Sequence, residues 1–330
     1  MLDEVTPLRW HAAMAEDLGE VHALLSAIAA FDDTTQRWGP DDLPEWYSGN
    51  GALASELIVV GFEGASMVAV GWDTVAEAPD TVRLDGAVHP AFRHQGIGRA
   101  LLGWQLDRAR DWFLATASTG PLRIVAFSDA AMTNKRSLFA HQGMTPMRWL
   151  IDMVCPFPTS PRVAEFVVTP VLGVRFEQFG PEWVEPTRQA HNEAFADRWG
   201  TEEVGADAWA ASLRVDHARP DLSWVAVDEW GSVVGYALNS STEELGGPAL
   251  GWTDRLGVRP VHRGRNIARV LLARSLDSFR RAGMDAGGVG LDSVDGGGTS
   301  LYRSLGYEAT DTIIQYERRE TPAEARAALS

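Results

Sequence analysis

The sequence predicts an α+β protein of two tandem domains, each a mixed, mostly antiparallel sheet flanked by helices. Blocks of sequence recur in the same order along the chain, each half reads as strands clustered before and between helices, and a proline-rich stretch separates the halves. The clearest block is Val88-His89-Pro90 followed by Arg93-x-x-Gly96-x-Gly98-Arg99-x-Leu101-Leu102. It returns as Val258-Arg259-Pro260 followed by Arg263-x-x-Asn266-x-Ala268-Arg269-x-Leu271-Leu272, 170 residues further on. Upstream, Arg37-Trp38-Gly39-x-Asp41-Asp42 matches Arg198-Trp199-Gly200-x-Glu202-Glu203. Downstream, Leu138-Phe139 and Gly143 match Leu301-Tyr302 and Gly306. A repeat this long, in this order, is a duplicated domain rather than a short-period solenoid.

Both halves take the same elements in turn. A short strand (LRWHA; VRFEQF) leads into helical patterns near 17–31 and 182–196, and an acidic, Trp-bearing segment follows. Two β-branched runs around Glu63-Gly64 and Trp230-Gly231 read as hairpins. A fourth strand ends at each Val-x-Pro. A long amphipathic helix opens at the Gly-x-Gly region, with apolar residues at Ile97, Leu101, Leu102 and Leu106, and at Ile267, Leu271, Leu272 and Leu276. A strand, a helix and a final strand (MRWLIDMV; DTIIQYER) close each half. Pro156, Pro158, Pro161 and Pro170 disfavour regular structure between them, so the domains are placed at 1–155 and 173–330 with a linker at 156–172.

Composition narrows the function. Hydrophobic residues at 45% and charged residues at 22% suit a globular chain. No apolar run approaches the ~20 residues of a membrane helix, and Asp3 and Glu4 stand where a signal peptide would carry basic residues. The chain reads as soluble and cytoplasmic. A single cysteine, Cys155, excludes an intramolecular disulfide and reads as a packing residue. The eight histidines form no HExxH-type pair, so metal catalysis has no support. A net charge of −16 repels nucleic acid and anionic membranes and favours cationic ligands. Any anionic cofactor would need a local concentration of Arg or backbone N–H groups.

The central block supplies one. A strand, then Arg-x-x-Gly-x-Gly opening a long helix, lets the backbone turn sharply and aim successive N–H groups at an anion. The helix N-terminus adds partial positive charge, and Arg93, His94 and Arg99 add more. A Rossmann fingerprint would need a third Gly where Leu101 stands, and a P-loop would need Gly-Lys-Ser/Thr. A tight turn without a ligand is the bland alternative, but the motif lies between strand and helix twice.

RHQGIGRALL and RGRNIARVLL resemble the acetyl-CoA signature Arg/Gln-x-x-Gly-x-Gly/Ala of the GNAT acetyltransferase superfamily, and LYRSLGY is similar to its closing Leu-Tyr-x-x-x-Gly-Phe/Tyr. The resemblance covers nearly all of both halves, and the tandem arrangement is similar to the mycothiol synthase type. It implies direct acetyl transfer from acetyl-CoA to a small amine. It places the cofactor in a splayed gap between the fourth and fifth strands, against Val88, Arg93, His94, Gln95, Gly96, Ile97, Gly98 and Arg99, or Val258, Arg263, Gly264, Arg265, Asn266, Ile267 and Ala268. It implies an oxyanion-donating N–H near Val88 or Val258, a base for the amine and a Tyr that protonates the leaving thiolate.

The halves differ in ways that choose between them. The first has the complete Gly96-x-Gly98 loop, but Phe139 stands where the second has Tyr302, and a phenyl ring donates no proton. The second has Asn266 for the first Gly, and Asn tolerates positive φ. Catalysis is therefore expected in the second half, the first binding CoA or serving as scaffold. The expected acid is Tyr302 and the expected base Asp254, with Asp85 as its rough counterpart; a solvated strand carboxylate or a water chain are the alternatives. Asp295 departs from the superfamily's usual Asn. For the acceptor, Trp199, Glu202 and Glu203, with Asp207 and Trp209, combine carboxylates and aromatic faces suited to a cationic amine such as an amino sugar, aminoglycoside or polyamine. A surface helix with an acidic first turn explains the same residues. The rival readings are a non-catalytic acyl-CoA-binding regulator and a structural dimerisation protein, the latter leaving both Arg-rich loops unexplained.

Overall fold

The computed structural model describes residues 2–32, 58–76, 78, 80–116, 118–157, 170–196, 203–243, 248–292 and 299–329. The first half runs α1 (Leu2–Val5), β1 (Arg9–Ala12), α2 (Leu18–Asp32), β2 (Ile58–Glu63), β3 (Ser66–Val75), β4 (Thr81–Val88), α3 (Ile97–Ala115), β5 (Leu122–Asp129), α4 (Thr133–His141) and β6 (Thr145–Pro156). The second runs β7 (Val174–Gln178), α5 (Val184–Phe195), α6 (Ala206–Ser212), β8 (Trp224–Asp228), β9 (Val233–Glu243), β10 (Ala249–Val258), α7 (Ile267–Arg281), β11 (Ala286–Asp292), α8 (Ser300–Arg303), β12 (Glu308–Glu320) and α9 (Pro322–Ala328). The β2–β3 and β8–β9 hairpins turn at Gly64 and Gly231, both at positive φ. No described helix is long and apolar enough to cross a membrane.

The predicted amphipathic faces are the buried ones. Ile97, Leu101, Leu102 and Leu106 of α3 lie in the core, as do Ile267, Leu271, Leu272 and Leu276 of α7. Each of these helices also sends a buried polar side chain toward the sheet. Gln105 donates its amide to the carbonyls of Trp72 and Asp85 at 3.0 and 2.8 Å. Ser275 accepts from Asn239 Nδ2 at 2.9 Å. Buried amides and hydroxyls are tolerated because they are bonded. Cys155 is a packing residue as expected, its thiol pushed up to about 11 by burial.

The chain divides into two compact units, 1–149 with 311–330, and 150–310. This differs from the linear division at 156–172 in the last strand of each half. In the first unit the order is β1-β2-β3-β4-β5-β12, and in the second β7-β8-β9-β10-β11-β6. β12 runs antiparallel to β5, and β6 antiparallel to β11 over Leu150–Pro156. The side chains explain the exchange. Ile314 and Tyr316 of β12 pack with Phe139 and Met144 in the first unit. Met153 and Cys155 of β6 pack with Phe279 and Tyr307 in the second. An alternating apolar pattern predicts that a strand forms and leaves open which sheet it completes.

A buried ion pair pins β12 in the first unit. Arg110 of α3 makes a two-pronged contact with Glu320, at 2.8 and 2.7 Å, and both side chains are under a tenth exposed. Burial raises the Glu320 carboxyl, but the hydrogen bonds and charges of Arg110 and Arg318 outweigh it and hold the group below the ordinary glutamate value. The pair's stabilisation is therefore complete above the ordinary glutamate pKa and is lost as pH falls through the lowered one. Glu320→Ala removes the buried carboxylate and leaves Arg110 with Asp107, itself half-exposed, as its remaining partner; it is expected to cost up to about 3 kcal/mol, read as an earlier urea midpoint, and the exposed-pair variant Glu185→Ala should move the midpoint far less.

Candidate active site

Each unit contains a parallel strand pair that separates. β4 and β5 pair over four residues, Thr81–Leu84 against Arg123–Ala126. β10 and β11 pair over Leu250–Thr253 against Ala286–Val289. Beyond these, β4 continues to Val88 on β3 and β10 to Val258 on β9. His89 N–H donates to Val68 O at 2.8 Å and Arg259 N–H to Val234 O at 2.9 Å. Antiparallel neighbours alternate, so the N–H groups of Val88 and Val258, one residue earlier, face into the gap.

The loop after each strand ends as an αL residue at a helix N-terminus. Gly96 (φ +86°) caps α3 and Asn266 (φ +63°) caps α7. Two residues before each cap the chain again has positive φ, at His94 and Gly264. The same backbone is thus built with Gly and a polar residue exchanged between the two positions, and Asn266 keeps the turn despite its side chain. A Cβ on Gly98 would meet Leu138 at 3.5 Å and Val88 at 3.9 Å, ordinary contact, which is why Ala268 fits at the matching position. Successive N–H groups at such a helix start form an anion seat.

The signature arginines are occupied in shaping the loop. Arg93 grips Asp32 with both terminal nitrogens at 2.6 Å and donates Nε to Val88 O at 3.1 Å. Arg263 donates Nε to Val258 O at 3.3 Å and Nη2 to Ala194 O at 2.7 Å. The expectation that Arg93 adds free positive charge is corrected, since Asp32 neutralises it. Arg99 and Arg265 are exposed, and Arg265 holds Leu172 O at 2.8 Å. Gln95 is exposed and donates to Ala91 O at 3.4 Å, while Ile97 and Ile267 anchor the first helical turns in the core.

The two gaps differ in the chemistry around them. Tyr302 on α8 is half-buried, edge-on to Tyr307 at 5.9 Å. Its counterpart Phe139 is buried against Tyr316 at 5.3 Å. Asp254 sits in a bulge of β10, between Thr253 and Arg255, that the β3–β4 pairing lacks. Its part-buried carboxylate accepts from Ser240 Oγ at 2.9 Å. Partial burial raises its pKa above the ordinary aspartate value, opposed by Ser240 and by the charges of His217 and Arg255. Asp85, by contrast, is paired with Arg83 at 2.6 Å. Lys135, the single lysine of the chain, lies on α4 with its ammonium over the Phe139 ring. Burial pushes its amine down, and Asp85 opposes the shift.

Asp254 opens onto a cavity of about 320 Å³ lined by His217, Arg255, Ser212, Phe179, Leu213 and Leu238, among others. Arg255 is held by Ser212 Oγ at 3.0 Å and lies over the Trp209 ring at 5.0 Å. Trp209 is fully buried, with its indole N–H on Val184 O at 3.0 Å, so it is a core residue rather than an acceptor contact. Glu203 is exposed and does not line the cavity. Trp199, Glu202 and Asp295 lie outside the described residues. Sequence reasoning missed His217, Arg255 and the His191–Tyr236 pair, which join through tertiary packing across α5, α6, β9 and β10 and have no shared spacing.

Comparison with known proteins agrees with this geometry. The acetyltransferase (GNAT) domain family matches residues 219–309. The mycothiol acetyltransferase of Thermomonospora curvata is 30% identical over 257 residues, 76% of this chain and 79% of the relative. That of Propionibacterium freudenreichii is 24% identical, covering 92% of this chain and 89% of the relative. Among solved structures, a GCN5-related N-acetyltransferase from Sphaerobacter thermophilus superposes with a TM-score of 0.74 at 22% identity, covering 96% of each chain. A tandem GNAT protein from the clavulanic acid biosynthesis pathway superposes at 0.64 and 19% identity, covering 94% of this chain and 98% of that one. These two likenesses establish the fold. The chain belongs to the GNAT acetyltransferase family that includes the mycothiol acetyltransferases, and it is an N-acetyltransferase that draws on acetyl-CoA.

Proposed function

We propose that the second unit is the working half and acetylates a small amine, and that the first unit is a scaffold or a non-catalytic CoA site. The observation that carries this is the bulged Asp254, which follows the last residue of β10 paired with β11 and lines the cavity. Acetyl-CoA suits the gap, since the donor set there is backbone N–H rather than side-chain charge: Val258 would receive the thioester oxygen, and Gly264, Arg265, Asn266, Ile267 and Ala268 the pyrophosphate. Bound there, it supplies an activated acetyl carbon. A fixed N–H aimed at a developing oxyanion stabilises it without reorganisation.

Asp254 takes a proton from the incoming ammonium, and its raised pKa brings it nearer the range where a base exchanges protons at neutral pH. Tyr302 gives a proton to the departing sulfur. Arg255 and His217 line the same cavity as Asp254 and favour an acceptor that carries oxygens as well as an amine. This modifies the purely cationic acceptor expected from charge: an amino sugar fits better than a polyamine, and an amine of the mycothiol type, after the relatives' name, is the first to test.

The test is thiol release from acetyl-CoA with a mycothiol-type amine, glucosamine and spermidine as acceptors. Release with none of them, alongside tight acetyl-CoA binding, overturns the small-amine reading. Asp254→Asn is expected to lower kcat/KM by about 10²–10⁴-fold. The wild-type acid limb should lie above the ordinary aspartate value of about 3.9, because the base must be ionised and activity is lost as pH falls through its raised pKa; that limb should vanish in the variant. Tyr302→Phe is expected to lower kcat by about 10²-fold or more with little change in acetyl-CoA affinity by calorimetry. Blocking each loop separates the units: Ala268→Trp should abolish turnover and Gly98→Trp should spare it, and the reverse result would move catalysis to the first unit.

A further inference from the structure

The first unit holds an amine at its own strand split. Lys135, the single lysine of the chain, stands in the first turn of α4. Asn134 beside it meets the loop before α3, its Nδ2 lying 3.4 Å from His94 Nε2. One turn on, Leu138 lies 3.5 Å from where a Cβ on Gly98 would be. Phe139 packs in the core cluster that includes Leu84 and Ala126, the last paired residues of β4 and β5. The Lys135 ammonium is 5.7 Å from the centre of that ring, close to the outer limit of a cation–π contact. The charges that act on it are those of Asp85 and Arg83 on β4, Asp32 on α2 and Arg93 in the loop. A side chain rooted on the β5 side thus places its amine among groups of the β4 side, at the gap that the Val88 N–H faces.

Among the described residues no hydrogen bond or ion pair holds this amine. The nearby carboxylates are spent on arginines, Asp32 on Arg93 and Asp85 on Arg83. Burial lowers the amine's pKa, with Asp85 and Asp32 opposing the shift and Arg83 and Arg93 adding to it. A larger share of it is therefore a neutral nucleophile at neutral pH than of an exposed lysine. Its flexible four-carbon stem, pinned by no bond at the tip, can swing toward the Val88 N–H. In sequence the matching position of the second copy is Gly298, so the amine belongs to the copy that has Phe139 in place of Tyr302.

We propose that Lys135 is a self-acetylation site, taking the acetyl group of acetyl-CoA held in the first unit once per chain. This rests on the first unit being a CoA site, one of the two roles proposed for it, and is independent of catalysis in the second. Nζ first gives one proton to solvent. Its lone pair then forms the C–N bond to the acetyl carbon as the C–S bond breaks, and the Val88 N–H faces the oxygen where charge develops. The proton that Nζ sheds goes to the departing sulfur, giving acetyl-lysine and CoA with atoms and charge balanced. An attacking nitrogen that carries this proton makes up for the hydroxyl that Phe139 lacks. The amide is neutral and no longer nucleophilic, so the reaction stops after one event.

The test incubates the full chain with ¹³C-acetyl-CoA, Lys135 being the amine under test, and follows intact mass, peptide mass and calorimetric affinity. Wild type is expected to gain one labelled acetyl group, on Lys135, at a first-order rate independent of protein concentration. Lys135→Arg should gain none. Gly98→Trp should slow the labelling about tenfold or more, Ala268→Trp should spare it, and excess CoA should slow it in the unaltered chain. An unlabelled Lys135 in an Ala268→Trp variant that still binds acetyl-CoA overturns the proposal and leaves the first-unit seat standing. Labelling that neither Gly98→Trp nor excess CoA slows, or whose rate rises with protein concentration, also overturns it, since the group then arrives from solution or from another chain. If Ala268→Trp loses all affinity while wild type binds, the first unit is no CoA site and the proposal fails with it.

Discussion

The separation of a parallel strand pair after four residues is the constraint on which the rest of the molecule is arranged. Backbone N–H groups in a sheet are normally consumed by the neighbouring strand. Where β10 leaves β11, the Val258 N–H turns outward into the gap. The sheet tolerates this because the neighbouring elements hold the strand from its other side. β9 pairs with β10 along its whole length to Val258. Arg263 secures the Val258 carbonyl, and Ile267 locks the first turn of α7 into the core. The signature arginine therefore acts as a brace for the gap.

The duplicated units show how much of this frame survives change. The loop before the long helix requires two residues at positive φ, and one unit meets the requirement with His94 and Gly96, the other with Gly264 and Asn266. Backbone shape is retained while side chains trade places. Chemistry diverges more freely, because it depends on single atoms. Phe139 fills the place of Tyr302 without its hydroxyl. Asp85 is locked to Arg83 where Asp254 is raised on a bulge toward a cavity. Val70 and Ala87 pack where Tyr236 and Gly257 interlock. Each difference removes a hydroxyl from the first unit or ties up a carboxylate there, and they accumulate in one direction.

Most of the fold was legible because it rests on periodicity. The α3 and α7 faces, the two hairpins and the strand before each cradle follow from spacing alone, and the repeat doubles every observation. The candidate site was legible in part. Asp254 and Tyr302 are candidates reached through the strand before Val258 and the family's pattern, and the Asn266 turn follows from the conformational latitude of Asn. The bulge at Asp254 was hidden, since one extra residue in a strand leaves no mark in composition. His191, Tyr236 and Arg255 were hidden because they meet through packing around Trp209, which sequence reasoning had turned toward the acceptor. That error has a physical source: an acidic, Trp-bearing helix start looks alike whether the indole faces a ligand or the core.

The last strands limit how far either unit can be treated as a separate domain. β12 belongs to the second copy in sequence and to the first unit in packing, while β6 does the opposite. Removing residues after 155 takes Ile314, Tyr316 and Glu320 from the first core and leaves Arg110 without its buried carboxylate partner. Removing the first copy takes Met153 and Cys155 from beside Tyr307. A first copy that had lost its chemistry would still be required, because it supplies the strand that completes the second unit's sheet. Retention of a complete but hydroxyl-poor copy is then a consequence of folding, with no need for a second catalytic centre to explain it.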